Sequence, residues 1–130
     1  MKLICAFLFC FIAISGFSRD YGLYIFYSFK GIEDGYDHLN KIKVYVDGQK
    51  IAESSEKKES ANNYMHVKIP SGQHTIVVEN WAYYENEWQL HNKSNGYSLD
   101  LVTTKSLYVD GDHSLRLLYD LDGDVKESFK

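Results

Sequence analysis

Short apolar runs alternate with polar turns along most of the chain, and this period-two pattern predicts strands rather than helices. Residues 21–29, YGLYIFYSF, are apolar or aromatic on both alternating faces, as in a strand that is covered on both sides and lies centrally in its sheet. The polar residues 31–40 are predicted to form a loop. Later strands are predicted over 97–103, 105–109 and 114–121, with an edge strand over 125–129 and turns at Asp110-Gly111 and Asp122-Gly123.

A first hairpin is predicted around Asp47-Gly48, because Asp-Gly between alternating strands favours a two-residue turn with positive φ at both positions. One face of the strand before the turn carries Ile42, Val44 and Val46. The predicted register sets Val44 opposite Ile51. The charged residues 54–63 follow and are expected to lie in solvent.

A second hairpin is predicted across the loop of residues 70–73, with Ile69 pairing with His74. Val67 then meets Ile76 and Met65 meets Val78, so that apolar residues oppose apolar residues. Gly48 and Gly72 are expected at turn positions that other residues tolerate poorly. Together these elements predict a single small antiparallel β-sandwich, immunoglobulin-like or prealbumin-like, over residues 19–130.

The N-terminal residues 1–18, MKLICAFLFCFIAISGFS, have the layout of a secretory signal peptide, with one lysine, an apolar run and small residues near the end. The apolar run is shorter than the roughly 20 residues that span a bilayer. We therefore expect cleavage before Arg19, export to the periplasm or the extracellular space, and no stable membrane span afterwards. A retained N-terminal anchor is the alternative.

The amino-acid composition argues against disulfides, a thiol nucleophile and nucleic acid binding. Cys5 and Cys10 are the only cysteines and would leave with the signal, so neither a disulfide nor a thiol nucleophile is expected in residues 19–130. Loss of Lys2 takes the formal net charge from -4 to -5, and no basic run is present, which argues against nucleic acid as a partner. Export without disulfides favours a bacterial envelope.

The segments IKVYVDGQKIAES and YMHVKIPSGQHTIVV resemble small exported bacterial domains of unknown function and the related PEGA domains, which share a V-D-G and P-x-G-x-H pair. The resemblance covers residues 22–79 and implies a β-sandwich with an envelope role, without supplying a reaction. PEGA domains usually continue with G-Y, where this chain has NWAYYENEW. The resemblance also implies that His74 is a structural ring at the end of the core.

No metal, cofactor or catalytic group is predicted. His66 and His74 would point to opposite sides in the predicted register, so they cannot share a metal. Asp120, Asp122 and Asp124 have the spacing of calcium ligands, but Val125 occupies the position where an EF-hand loop requires glycine. Asp110 and Asp112 could assist only if the two turns met. The chain also lacks a G-x-S-x-G elbow, and we expect a non-enzymatic protein.

The aromatic segment NWAYYENEW, residues 80–88, is the remaining candidate site. If the strand that contains Val78 continues without a bulge, Trp81 and Tyr83 lie side by side on the face away from the core. The alternative is that another strand, or a bulge near Asn80, covers them, and the position of Trp88 stays open. Two hypotheses follow: a structural or protein-interaction domain of the envelope, and a carbohydrate or cell-wall glycan binding module. Exposed coplanar rings would favour the glycan module, and buried rings the interaction domain.

Overall fold

Alternating side chains build two β-sheets in the structure, a computed structural model that describes residues 19–130. The strands are β1 (Asp20–Lys30), β2 (Leu39–Val46), β3 (Gln49–Glu53), β4 (Lys57–Lys58), β5 (Asn63–Pro70), β6 (Gly72–Tyr84), β7 (Glu87–Leu90), β8 (Val102–Val109), β9 (His113–Asp120) and β10 (Val125–Phe129). A short 3-10 helix spans Lys93–Asn95. The sheets enclose one core, which confirms the predicted small all-β sandwich. The signal peptide predicted for residues 1–18 lies outside the described residues.

One sheet has the strand order β10-β9-β1-β5, and the other has the order β3-β2-β6-β7, with β4 beside β2 and β8 beside β6. The first sheet confirms that the predicted strand 21–29 is central and that the predicted strand 125–129 is an edge. β1 and β9 are parallel, so the expectation of purely antiparallel pairing was wrong for this pair. The residue pattern within a strand carries no signal for its direction relative to a distant strand.

The core contains alternate residues from both sheets, including the fully buried Leu23 and Ile25 of β1 and Ile42 and Val44 of β2. Their neighbours on the other face are only partly covered, as the burial pattern of β2 shows by strict alternation. The predicted core face of β2 is therefore confirmed. Apolar burial on this scale supplies the main stabilisation of a fold that has no cysteine among residues 19–130.

The first predicted turn is confirmed, and its register was wrong by one residue. Asp47 and Gly48 have φ angles of 51° and 82°, as a two-residue hairpin turn of this kind requires. Val44 pairs with Ala52 rather than with Ile51, because an irregularity after Val44 adds a residue to β3. A bulge of this kind leaves the extra residue unpaired, and Ile51 is 42% exposed.

The second predicted hairpin was wrong. β5 pairs with β1 in one sheet, whereas β6 pairs with β2 and β8 in the other, so the segment around Ser71 is a corner between sheets. Val67 and Ile76 both lie in the core but belong to opposite sheets. Two apolar faces that oppose each other across a core produce the same residue pattern as two strands paired in one sheet. Gly72 at this corner has a φ of 110°, which favours glycine.

The predictions for residues 54–63 and for residues 97–109 were also wrong in part. Residues 54–63 are not simply a solvated loop, because β4 forms within them and Ser54, Glu59 and Asn63 are buried. The strands predicted over 97–103 and 105–109 are replaced by a loop and the single strand β8. In the described part of the chain, no helix has the length and apolar character needed to cross a bilayer.

Candidate functional site

The aromatic residues named from the sequence gather at the end of the six-stranded sheet. β6 runs without a break to Tyr84, and its residues with even numbers from Ile76 to Ala82 are buried. Trp81 and Tyr83 therefore lie on the outer face, which is the position expected for a strand that continues without a bulge. Trp88 lies opposite Tyr83 on β7, with the two ring centroids 5.4 Å apart and the ring planes tilted by 60°. We call Trp81, Tyr83 and Trp88 the aromatic patch.

The hairpin that brings Trp88 into the patch was missed by sequence reasoning. Glu85 and Asn86 form its turn with φ angles of 52° and 64°. Positive φ at a glutamate is uncommon, since Gly, Asn and Asp are the residues that tolerate it. The sequence signal for this turn was therefore weak. In the structure, Tyr84 and Glu87 pair directly across it.

Two lysines of β2 cover the indole rings of the patch. The Nζ of Lys43 lies 3.7 Å from the centroid of the Trp81 ring, and the Nζ of Lys41 lies 4.3 Å from that of Trp88. Glu53 of β3 holds both ammonium groups, at 3.3 Å from Lys41 and 4.0 Å from Lys43. A cation over an indole is attracted to its ring by roughly 0.5–1 kcal/mol at an exposed site. The lysines thus occupy one face of each tryptophan.

Polar groups also border the patch along β6. The Nε1 of Trp81 donates a hydrogen bond of 3.2 Å to Glu79. Burial, with a smaller contribution from Glu79, raises the pKa of Tyr45 above its ordinary value. Tyr83 is 37% exposed, so its ring is the accessible part of the patch. A partly buried aromatic centre with a charged border has the composition of a protein-binding surface.

His74 lies on the core face of β6, as predicted, at the corner between the sheets. Its Nδ1 is 2.6 Å from Oδ2 of Asp47, and its Nε2 is 3.2 Å from the carbonyl oxygen of Ser71. The hydrogen bond to Asp47 raises the pKa of His74. Asp47 also accepts a hydrogen bond of 2.9 Å from the backbone N–H of Thr75, which is the largest cause of its lowered pKa. His66 points to the outer face of the other sheet and stacks on Tyr24.

The two glycines singled out from the sequence both have positive φ. A Cβ on Gly48 would meet nothing within 4 Å, so only its φ of 82° disfavours another residue there. A Cβ on Gly72 would lie 3.9 Å from Nε2 of His74, which is an ordinary contact. The requirement for glycine is therefore conformational at both positions.

The acidic turns considered for calcium lie at opposite ends of β9, since Asp112 precedes the strand and Asp122 follows it. The carboxylate of Asp112 accepts a hydrogen bond of 2.8 Å from the backbone N–H of Gly22, and that of Asp120 accepts one of 3.1 Å from Asp122. Over residues 19–130, no three histidine, cysteine or acidic side chains come together as a metal site. The condition that the two turns meet is not fulfilled.

A cleft that the sequence did not indicate lies at one end of the sandwich. Its volume is about 180 Å³, and its walls include Glu59 and His91, each only 3% exposed. Burial raises the pKa of Glu59 to about 8 and lowers that of His91 to about 4. Perturbed pKa values in a cleft are typical of functional sites. The residues come from four separate loops, so no local motif could have revealed them.

A larger groove of about 540 Å³ lies on the outer face of the four-stranded sheet. Phe26 and Tyr64 form part of its floor, with ring centroids 4.9 Å apart. The guanidinium group of Arg116 lies 4.6 Å from the centroid of the Phe26 ring. This groove is a second open surface, on the sheet opposite to the aromatic patch.

No protein-family model matches the chain, and no curated protein matches its sequence. Solved structures with a similar arrangement include a Gram-negative toxin (8% identity, TM-score 0.42), listeriolysin O (13%, 0.42) and suilysin from Streptococcus suis (11%, 0.41). Each match covers 87% of this chain and 22–23% of the other protein. The chain thus spans less than a quarter of these proteins, and the likeness assigns neither an activity nor a partner to it.

Proposed function

We propose that this chain is an exported, non-catalytic domain of the cell envelope that binds a protein partner through the aromatic patch. The observation that carries the proposal is the unbroken path of β6, which places Trp81 and Tyr83 on the outer face beside Trp88. Tryptophan and tyrosine are enriched among the few residues that carry most of the binding energy of protein interfaces, and the rim around such residues is polar. Lys41, Lys43 and Glu53 supply such a border.

A protein partner fits the geometry of the patch better than a glycan does. The rings of Tyr83 and Trp88 are tilted by 60° and do not form a flat platform. Lysine ammonium groups lie over the faces of both tryptophans, where a sugar would have to stack. The alternative of a carbohydrate or cell-wall glycan module rests on the exposed ring of Tyr83.

Export and the envelope role are supported by two features of the chain. The first is the apolar N-terminal run with its small residues before Arg19. The second is that the V-D-G and P-x-G-x-H elements of the PEGA-like pattern are in contact. The carboxylate of Asp47 in the first element pairs with His74 of the second and accepts one hydrogen bond from the backbone N–H of Thr75. A contact between the two elements gives a physical reason for their joint occurrence.

Replacing Tyr83 and Trp88 together by alanine tests the proposal. We expect partner binding from an envelope extract of the source cells to fall by more than tenfold, because the loss of an aromatic anchor can cost 2 kcal/mol or more of binding energy. The measurement is quantitative affinity capture with the purified protein, followed by direct binding of the identified partner. Tyr108→Ala is the matched control, since Tyr108 is 63% exposed and pairs with Gln73 at the other end of the same sheet.

The same variant separates the competing interpretations. A loss of several kcal/mol in the free energy of unfolding would show that the rings belong to the core. Retention on insoluble cell-wall glycan that disappears in the double variant would establish the glycan module instead. Equal capture by the wild type, the double variant and Tyr108→Ala would remove the patch from the binding site.

A further inference from the structure

The cleft at the end of the sandwich is formed where several loops meet. It lies where β1 and β9 end and β2 begins, and its walls come from the β1–β2 loop, the segment after β4, the segment after β7 and the β9–β10 turn. None of the three residues of the aromatic patch lines this cleft. Its lining includes Glu33, Tyr36, Glu59, His91, Tyr97 and Asp122.

Glu59 is a buried carboxyl group without a partner. Its side chain lines the cleft, and no hydrogen bond joins its carboxyl group to another of the described residues. The loop around it is fixed, because Ser60 donates hydrogen bonds of 3.0 Å and 2.6 Å to Asp37, and the N–H of Glu59 bonds to the carbonyl oxygen of His38. A carboxyl group with so little exposure and no hydrogen bond from the protein is unfavourable unless water or a ligand in the cleft contacts it.

His91 is equally buried, and its ring is held in place. The ring packs against Tyr97 with centroids 4.1 Å apart, and the backbone of His91 bonds to Asn80 and Leu101 at 2.9 Å and 2.8 Å. Its Nδ1 has no hydrogen-bond partner in the part of the chain that the structure describes. Two buried polar side chains in one cleft are thus unsatisfied by the protein.

The charged residues that line the cleft indicate which kind of ligand could bind to Glu59 and His91. Glu33, Glu59 and Asp122 line it, whereas no lysine or arginine does so among the described residues. Tyr36 and Tyr97 add aromatic walls. We propose that this cleft binds a primary ammonium group, either of a small free amine or of a lysine side chain, with Glu59 as its carboxylate partner. A ligand cation is attracted by the charge of a carboxylate and by the faces of aromatic rings.

A metal ion fits the cleft less well, because its side chains do not converge as three or more ligands within the described residues. The volume limits the size of an organic ligand, because about 180 Å³ is below the range of about 300–1,000 Å³ for sites that bind drug-sized ligands. The site therefore suits one ammonium head with a short alkyl chain.

Binding of an ammonium group should release a proton. Burial, together with the charge of Asp37, raises the pKa of Glu59 to about 8, so the carboxyl group is protonated in the empty cleft below that pH. The ammonium group requires the carboxylate, and affinity should therefore rise about tenfold per pH unit between pH 6 and 8 and then level off. The pKa of His91, about 4, keeps its ring neutral over this range. The other titratable groups that face Glu59 are Glu33, Tyr36, Asp37, His38, Tyr97 and Asp122.

The test is an NMR titration of the protein with n-butylammonium chloride at pH 8, with n-butanol as the neutral isostere. We expect saturable shifts of the His91 and Tyr97 ring signals with the amine and none with the alcohol. Glu59→Gln should weaken binding at least tenfold, whereas Glu56→Gln, in an exposed position of the same segment, should leave it unchanged. Nα-acetyl-lysine methylamide distinguishes the sources: tighter binding than n-butylammonium indicates a lysine side chain, and weaker binding a free amine.

The proposal is overturned if n-butylammonium produces no saturable shifts in the wild type, if n-butanol produces the same shifts, or if Glu59→Gln binds as the wild type does. His38 also lines the cleft. An affinity for n-butylammonium that is constant from pH 6 to 8, both in the wild type and in the variant His38→Asn, would also overturn the proposal. If Glu59→Gln does not fold, the pH series on the wild type decides: an affinity that rises from pH 6 to 8 supports the proposal, and a constant affinity overturns it. These outcomes are independent of partner binding at the aromatic patch.

Discussion

Replacing Asn80 by alanine will lower the free energy of unfolding by about 3 kcal/mol. Asn80 is fully buried on the core face of β6, and Asn40 at the start of β2 is 1% exposed. The two amides exchange a pair of hydrogen bonds, in which Nδ2 of each donates to Oδ1 of the other. The alanine variant loses both bonds and leaves the Asn40 amide buried without a partner, which costs the full desolvation penalty. Urea denaturation measures the change.

Two further variants serve as controls for the Asn80→Ala result. Asn62→Ala removes an exposed amide and should change stability by no more than about 0.5 kcal/mol. The double variant Asn40→Ala, Asn80→Ala should lose less than the sum of the two single variants, because the second change removes the amide that the first one left unpaired. Strictly additive losses would contradict the buried amide pair.

Between pH 6.5 and 8 the wild type will lose about 1–2 kcal/mol more stability than Glu59→Gln loses. The pKa of Glu59 rises from an ordinary 4.5 to about 8 on folding, so between these values the folded state holds one proton more than the unfolded state. Stability then falls as pH rises, and the contribution of the protonated carboxyl group is lost through pH 8. A difference of one bound proton between the folded and unfolded states over this pH range changes the free energy of unfolding by at most about 2 kcal/mol.

His91 acts in the opposite direction at lower pH. Its pKa falls from 6.5 to about 4 on folding, so the unfolded state holds the additional proton and stability rises with pH over that window. The two effects largely cancel between pH 4.5 and 6.5, which leaves the Glu59 effect visible above pH 6.5. Urea denaturation across this range in the wild type, Glu59→Gln and the control Glu56→Gln measures it. The raised pKa of His74 leaves a residual slope in both proteins, so only a slope as steep in Glu59→Gln as in the wild type would assign the proton to another group.

Local patterns predicted the elements that depend on them. The alternation in β2 identified Ile42 and Val44 as core residues, and Asp47-Gly48 identified the turn, because both signals are contained within a few consecutive residues. The outward position of Trp81 and Tyr83 followed from the same alternation, counted from Val78. These predictions needed no knowledge of which strands pair.

Features that depend on distant segments could not be predicted. The alternating apolar residues of β5 and β6 fit a hairpin as well as they fit two strands in opposite sheets, and only the pairing of β5 with β1 decides between them. The burial of Glu59 arises because loops far apart in sequence close over it, whereas its own segment is charged and polar. Trp88 reached the patch through a Glu-Asn turn that carries little sequence signal.

The most direct test of the central claim is photo-crosslinking in the source cells with p-benzoylphenylalanine placed at position 83, 108 or 64. Tyr108 controls for the far end of the same sheet, and Tyr64, which is 48% exposed, reports on the groove of the opposite sheet. We predict one discrete protein adduct from position 83, which is lost when Trp88→Ala is added, and no such adduct from the other two positions. An adduct from position 64 or 108 with none from position 83 would contradict a binding role for the aromatic patch.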